Sequence, residues 1–148
     1  MFQGQLVAIT TRPARKTPAV THTTIRAIAD QGLEGDHRCQ PGCDPDRQVT
    51  LIEAEALELA AADYELEINH AESRRNLLTK NVPLNHLVGR QFQVGEVVLE
   101  GVELCEPCTY LEYCLERKLV DALRHRGGLR AKIIQGGDIN VGDAIVPA

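Results

Sequence analysis

Apolar residues recur at short intervals along most of this chain. From Gly89 onward Phe92, Val94, Val97, Leu99, Val102 and Leu104 are punctuated by Gly89, Gly95 and Gly101, the pattern of short strands joined by tight turns. Gln5 to Thr10 predicts a first strand, Thr21 to Ala29 a second, rich in β-branched residues, and Arg47 to Ile52 a compact third. The second ends at Gln31-Gly-Leu-Glu-Gly-Asp-His37, where two glycines three apart imply a sharp turn or a close approach. Thr50 with Glu53 has the form of a capping box, and Glu53 to Ala62 is built from strong helix formers. Leu84 to Val88 predicts one helical turn, and Thr109 to Leu123 a helix. Near the end, His125 to Ile134 runs from a glycine turn into a strand, Gln135-Gly-Gly-Asp138 predicts a further turn, and Ala144-Ile-Val-Pro closes the chain. Many short strands with few, short helices predict a mainly β fold, a closed or partly closed β-barrel.

Composition narrows the class. A chain of 148 residues is read as one domain, 1–148, able to bury a core without disulfides. Hydrophobic content of 43% and charged content of 25% fit an ordinary soluble globular protein. A formal net charge of -5 argues against nucleic acid as a partner. Basic residues still cluster at Arg12 to Lys16, Arg74-Arg75 and Arg124 to Lys132, which leaves room for a small anionic ligand. The N-terminus lacks the basic start and apolar run of a signal peptide, and no stretch is apolar for long enough to cross a bilayer. The expectation is a cytoplasmic protein with no membrane partner, whose five cysteines are reduced, metal-binding or catalytic.

Three of the five cysteines fall in one stretch, Val98 to Cys114, which reads as a strand entering a Cys105-x-x-Cys108 turn and then a helix. A thiol where a helix starts lies near unpaired backbone N–H groups and the positive end of the helix dipole, and both favour the thiolate. Pro107 biases Glu106 away from helical geometry and sets the turn just before Cys108. Cys108 is therefore the candidate for chemistry, against the alternative of a buried structural thiol.

Gly32-Leu-Glu-Gly-Asp-His37, Arg47-Gln-Val-Thr-Leu51, Arg74-Arg-Asn-Leu77, Leu87 to Gly95, Cys105-Glu-Pro-Cys108, Arg126-Gly-Gly128 and the final Gly-x-Ile-x-Val-Gly-Asp143 occur in one order. Together they resemble the MOSC domain, a family named after the C-terminal domain of molybdenum-cofactor sulfurase, in its small stand-alone bacterial form. The resemblance covers nearly the whole chain. It implies a β-barrel that binds molybdopterin-held molybdenum or handles reactive sulfur, with a cysteine at the position of Cys108. Such a thiolate either ligates the molybdenum or carries a terminal sulfur as a persulfide. The implied activities are sulfur transfer to the cofactor, as a sulfur carrier, or oxidoreductase chemistry on N-oxygenated compounds. The partners then are a sulfur-donor protein or an external electron donor, since no flavin or iron–sulfur signature is present.

The implied cofactor ends in a phosphate, so its site needs anion recognition. Arg74 and Arg75 offer forked guanidinium groups; adjacent residues of a strand face opposite ways, so one of the two is expected to face the ligand. Asn76 adds an amide, and Arg126-Gly127-Gly128 a further cation with a backbone that can come close to a ligand. His37 is a candidate to orient the ligand or move a proton, or else a turn histidine bonded to nearby backbone, while Asp36 can close its own turn.

Two other readings stay open. Cys39 and Cys43 in the early loop, with Cys105 and Cys108, have the ligand count of a structural zinc site. Alternatively Cys108 is the nucleophile and Cys105 the resolving thiol of a molybdenum-free thiol or persulfide carrier, although no βαβ alternation surrounds them. Pyridoxal phosphate, which the sulfurases bind in a separate N-terminal domain, is not expected in this one.

Overall fold

A computed structural model describes residues 1–107 and 119–148 of the chain. Seven strands form a closed ring. They are β1 (Gly4–Thr11), β5 (Val49–Glu53), β6 (Leu77–Lys80), β7 (Gln91–Val94), β8 (Val97–Leu104), β9 (Leu129–Gln135) and β11 (Ala144–Pro147). They follow one another as β11-β7-β8-β9-β5-β6-β1, and β1 pairs back onto β11 through Gly4 and Ile145. Every pairing in the ring is antiparallel except β5 with β6. The predicted barrel is therefore closed, which leaves no open edge within the ring.

The barrel interior is filled by the inward-facing residues of these strands, among them Leu6, Ile9, Leu51, Leu77, Phe92, Leu99 and Leu129. Leu6 and Ile9 are three apart, and strict alternation would put them on opposite faces. A shift of register between Leu6 and Ala8, where β1 meets β6, is the bulge that turns both inward. Strand β5 is buried on both faces: Val49 and Leu51 join the barrel core, and Ile52 joins a second cluster outside it. That outer cluster includes Leu57 and Ala60 of α1 (Ala54–Tyr64) and Leu119, Ala122 and Leu123 at α3 (Leu119–Ala122). A short α2 (His70–Ser73) precedes β6.

The structure corrects several local expectations. The expected strand Thr21 to Ala29 is two, β2 (Val20–His22) on β1 and β3 (Thr24–Ile28) in a separate sheet ordered β10-β3-β4, where β4 is Gly32–Leu33. Thr23 stands at the corner, its carbonyl accepting from Val141 N at 2.9 Å. Strand β10 (Gly137–Asn140) begins where a turn was expected. Only Ile139 of it is buried, so its polar residues conceal a strand that pairs residue for residue with β3. Thr50 and Glu53 form no capping box: Glu53 is the N-cap of α1 without a side-chain bond, and Thr50 is inside β5, bonded to Asn76. The capping box belongs to α2, where Asn69 and Glu72 each bond the other's backbone N–H. Leu84–Leu87 forms the expected single turn, as a 3-10 helix. Of the helix expected over Thr109 to Leu123, residues 109–118 lie outside the described part and Leu119–Ala122 is helical. Among the described residues no helix is long and apolar enough to cross a membrane.

Candidate functional site

Three ring strands, β9, β5 and β1, with the segment just before β6, face a cavity of about 530 Å³. Its floor is laid by Thr10 of β1, Thr50 of β5, Arg130 of β9 and Asn76 just before β6. Thr50 and Arg130 are cross-strand partners, and their neighbours Leu51 and Leu129 point into the barrel, so alternation alone sends both to the cavity. Asn76 binds this floor together. Its Oδ1 accepts from Thr50 N at 3.0 Å and Thr50 Oγ1 at 3.1 Å, and its Nδ2 donates to Thr10 O at 3.1 Å. The predicted ligand amide is thus engaged in joining β5 to β1.

Arg74 and Arg75 both line the cavity, but neither lies on a strand. Arg74 caps α2 in the left-handed conformation, φ 60°, with its N–H donating to Ala71 O, and this turn sets the direction in which Arg75 leaves. The alternation argument for the pair therefore does not apply. Arg75 is buried and gives Nε to Gly127 O at 2.8 Å, one terminal nitrogen to Cys105 O at 3.1 Å and the other to Ser73 O at 3.2 Å. Its own carbonyl accepts from Thr10 Oγ1 at 3.0 Å. Its fork fastens α2, the segment after β8 and the start of β9 to one another.

Arg126, Gly127 and Gly128 do not line this cavity. Arg126 Nε donates to Ala122 O at 2.7 Å and a terminal nitrogen pairs with Asp63 at 3.1 Å, which ties α3 to α1. The two glycines permit close approach of neighbouring backbone. A Cβ at Gly127 would overlap Cys105 O, and one at Gly128, where φ is +113°, would overlap Leu51 O.

The opposite wall comes from the loops between β1 and β5. Asp36 does close its turn, accepting from Arg38 N at 3.3 Å and from Arg12 N at 3.0 Å. His37 is exposed at the cavity rim, and its Nδ1 lies 3.0 Å from Arg12 O, an acceptor only. Nδ1 therefore carries the proton, and Nε2 is the nitrogen left for a ligand. Arg12, Arg15, Arg38 and Arg47 join Arg74, Arg75 and Arg130, so seven arginines line one cavity of a chain whose net charge is -5. The acids on this wall face other partners. Asp36 accepts from backbone N–H groups, and Glu106 accepts from His125 N at 2.8 Å and pairs with His125 Nδ1 at 3.0 Å. A cavity with this excess of guanidinium concentrates positive potential and suits a ligand of several negative charges. Sequence reasoning noted the basic runs around Arg12 and Arg130 but did not single out Arg38 and Arg47. The available signal was their position, one straight after the Gly-Asp-His turn and the other just ahead of the strand that carries Thr50.

Cys105 is buried at the cavity wall, with its N–H donating to Gly128 O at 2.7 Å. Cys108 and Cys114 lie outside the described residues; the described chain leading to them, Cys105 and Glu106, lines the cavity. Cys39, Cys43 and Cys105 are free thiols. Among the described residues no three His, Cys, Asp or Glu side chains converge as metal ligands, and the fourth thiol of the considered zinc site, Cys108, lies outside those residues. Burial pushes the Cys39 thiol up, helped by Asp36 and by Cys43. Burial does the same to Cys43, with the Arg47 guanidinium pulling the other way. Both stay protonated at neutral pH, unlike reactive thiolates.

The MOSC domain model matches residues 35–146. Among solved structures, the YuaD protein of Bacillus subtilis superposes with a TM-score of 0.79 at 13% identity, covering 98% of this chain and 97% of that one. YiiM of Geobacillus stearothermophilus gives 0.74 at 17%, covering 98% of this chain and 75% of that one. YiiM of Escherichia coli gives 0.69 at 19%, covering 97% and 69%. At these identities the likeness is one of fold. Among curated proteins none matches.

Proposed function

The chain belongs to the MOSC domain family, which is associated with molybdenum cofactor binding or sulfurase-like function, and on that premise we propose that it holds the molybdenum cofactor in the arginine-lined cavity. The observation that carries this reading is the crowding of seven arginines around one cavity beside the segment that leads to Cys108. The donor set fits the group: a phosphate-bearing anion finds several guanidinium forks along the cavity wall. Arg74 at the α2 cap and Arg15 on the loop wall would hold its anionic end, with Arg130 behind them. Arg75 and Asn76 would act indirectly, by keeping the floor rigid. His37, its Nδ1 proton directed to Arg12 O, would offer Nε2 as an acceptor or, once protonated, a donor. Cys108 would be the thiolate that ligates the metal or bears the transferred sulfur. When bound, the cofactor supplies two-electron redox chemistry or a site for terminal sulfur. The protein would then serve either sulfur delivery or the reduction of N-oxygenated compounds with an external electron donor.

Expression in a host that makes molybdopterin, followed by measurement of molybdenum and of pterin fluorescence released from purified protein, tests this. Near-stoichiometric molybdenum and pterin in the wild type are expected. Cys108→Ala should lose the metal or the transferable sulfur, and Arg15→Met should carry less pterin. A wild type that carries no pterin from such a host, or that binds one zinc with all its thiols blocked, would overturn the proposal.

A further inference from the structure

A second, smaller cavity of about 250 Å³ adjoins the first, and His37, Arg38 and Arg47 line both. Its remaining wall is the turn that includes Gln40, Gly42 and Cys43. Three arginines of the site are held by the protein itself: Arg12 donates to Thr17 O and Ala71 O, Arg75 to three carbonyls and Arg130 to Asp46 O. Arg38 and Arg47 differ. Neither side chain forms a hydrogen bond or ion pair among the described residues, and Arg38 Nε is sealed from water without an acceptor. A buried donor left this way costs free energy until something accepts from it.

The turn that presents them is braced. Cys39 N donates to Asp36 O at 3.0 Å and Cys43 N to Gln40 O at 3.1 Å. The buried Gln48 joins Cys43 O at 3.1 Å to Ile133 N of β9 at 2.8 Å. The two guanidinium groups are thus offered from a turn already tied to the barrel, which lowers the ordering cost of binding. Asp44 is the acid among the described residues of this wall. Its charge is outweighed by the two arginines, whose pull also reaches the Cys43 thiol.

We propose that Arg38 and Arg47 form a second anion subsite, in the smaller cavity, that takes the phosphate-sized oxyanion of a small molecule distinct from the ligand of the larger one. Two forked cations with a histidine between the cavities favour a phosphate ester over a carboxylate, because a dianion can engage both guanidinium groups.

Amide NMR of the labelled full chain, titrated with inorganic phosphate at low ionic strength and separately with acetate, tests this. Phosphate should shift the Gly42 and Cys43 amides in a saturable way, and acetate should do so only weakly. Arg38→Met and Arg47→Met should each weaken those phosphate shifts by about tenfold or more. Arg47 is exposed, so its replacement probes the subsite without disturbing packing. Arg15→Met, in the larger cavity only, should leave the Gly42 and Cys43 shifts unchanged. Gly42 and Cys43 amides that do not move in the wild type, or that saturate equally in both Met variants, would overturn the subsite. Neither outcome bears on molybdenum and pterin content, which test the larger cavity separately.

Discussion

Arg75 and Arg38 line the same cavity and do opposite things with their donors. Arg75, beside the strand-built floor, gives Nε and both terminal nitrogens to the carbonyls of Gly127, Cys105 and Ser73. Arg38, on the loop-built wall, keeps a buried Nε with no acceptor among the described residues. The first arginine holds the fold, and the second is placed to hold a ligand. A cation in a cavity is thus assigned by following each N–H to its acceptor, not by its presence in the lining. The floor as a whole follows Arg75: Thr10, Thr50 and Asn76 are bonded mainly to one another and to backbone.

Removing Arg75 should break this comparison most visibly. Arg75→Met leaves three carbonyls without their donor in a buried place, and unmade bonds of this kind cost about 1–3 kcal/mol each before relaxation. We expect a loss of about 3 kcal/mol or more, read as a lower urea midpoint with an unchanged slope. Arg75→Lys should recover little of it, since a single ammonium cannot reach three acceptors in the fork's geometry. Wild-type stability in Arg75→Met would mean that the floor does not rest on this fork.

This division was only partly legible in the sequence. Strands β1, β5, β7, β8 and β9 and helix α1 announce themselves through local patterns, because each carries closely spaced buried apolar residues of its own. What escaped local reading depends on residues far apart in the chain. The acceptors of Arg75 sit at Cys105 and Gly127, so no motif around Arg74-Arg75 could reveal that its donors were already committed. Thr50 resembled a helix cap because Glu53 follows three residues later, yet its true partner is Asn76. Arg126 belonged to a resemblance motif, and in the fold it joins α3 to α1. Arg38 and Arg47 acquire meaning only when the loops between β1 and β5 come to rest against the outer face of the barrel.

The two regions differ in their histidines as well. His37 is exposed on the wall, whereas His70 begins α2, with a buried Nε2 that has no hydrogen-bond partner among the described residues. Burial lowers the pKa of His70, and the backbone at Arg75 and Asn76 offsets part of that effect. In the unfolded chain the imidazole takes up its proton near its ordinary value of about 6.5, and in the folded protein only at lower pH. Between those two values the unfolded chain binds more protons, so acidification favours unfolding. Stability should therefore fall as pH drops below about 6.5, and His70→Gln should remove that part of the slope. Superimposable stability curves for the two proteins across this range would show that His70 does not sense pH.

The smallest expected effect on stability is the one that separates floor from wall most sharply. Arg38→Met removes a charge and an unaccepted buried donor while keeping a long apolar stem, so it takes away no hydrogen bond seen among the described residues. Arg47→Met acts on an exposed side chain. Both variants should unfold within about 0.5 kcal/mol of the wild type, and Arg38→Met should if anything be the more stable protein without ligand. The cost should appear instead in phosphate affinity, as expected of residues kept for binding at some expense to the fold. If Arg38→Met destabilised the ligand-free protein as much as Arg75→Met does, the wall would be as structural as the floor, and the distinction between the two arginines would fail.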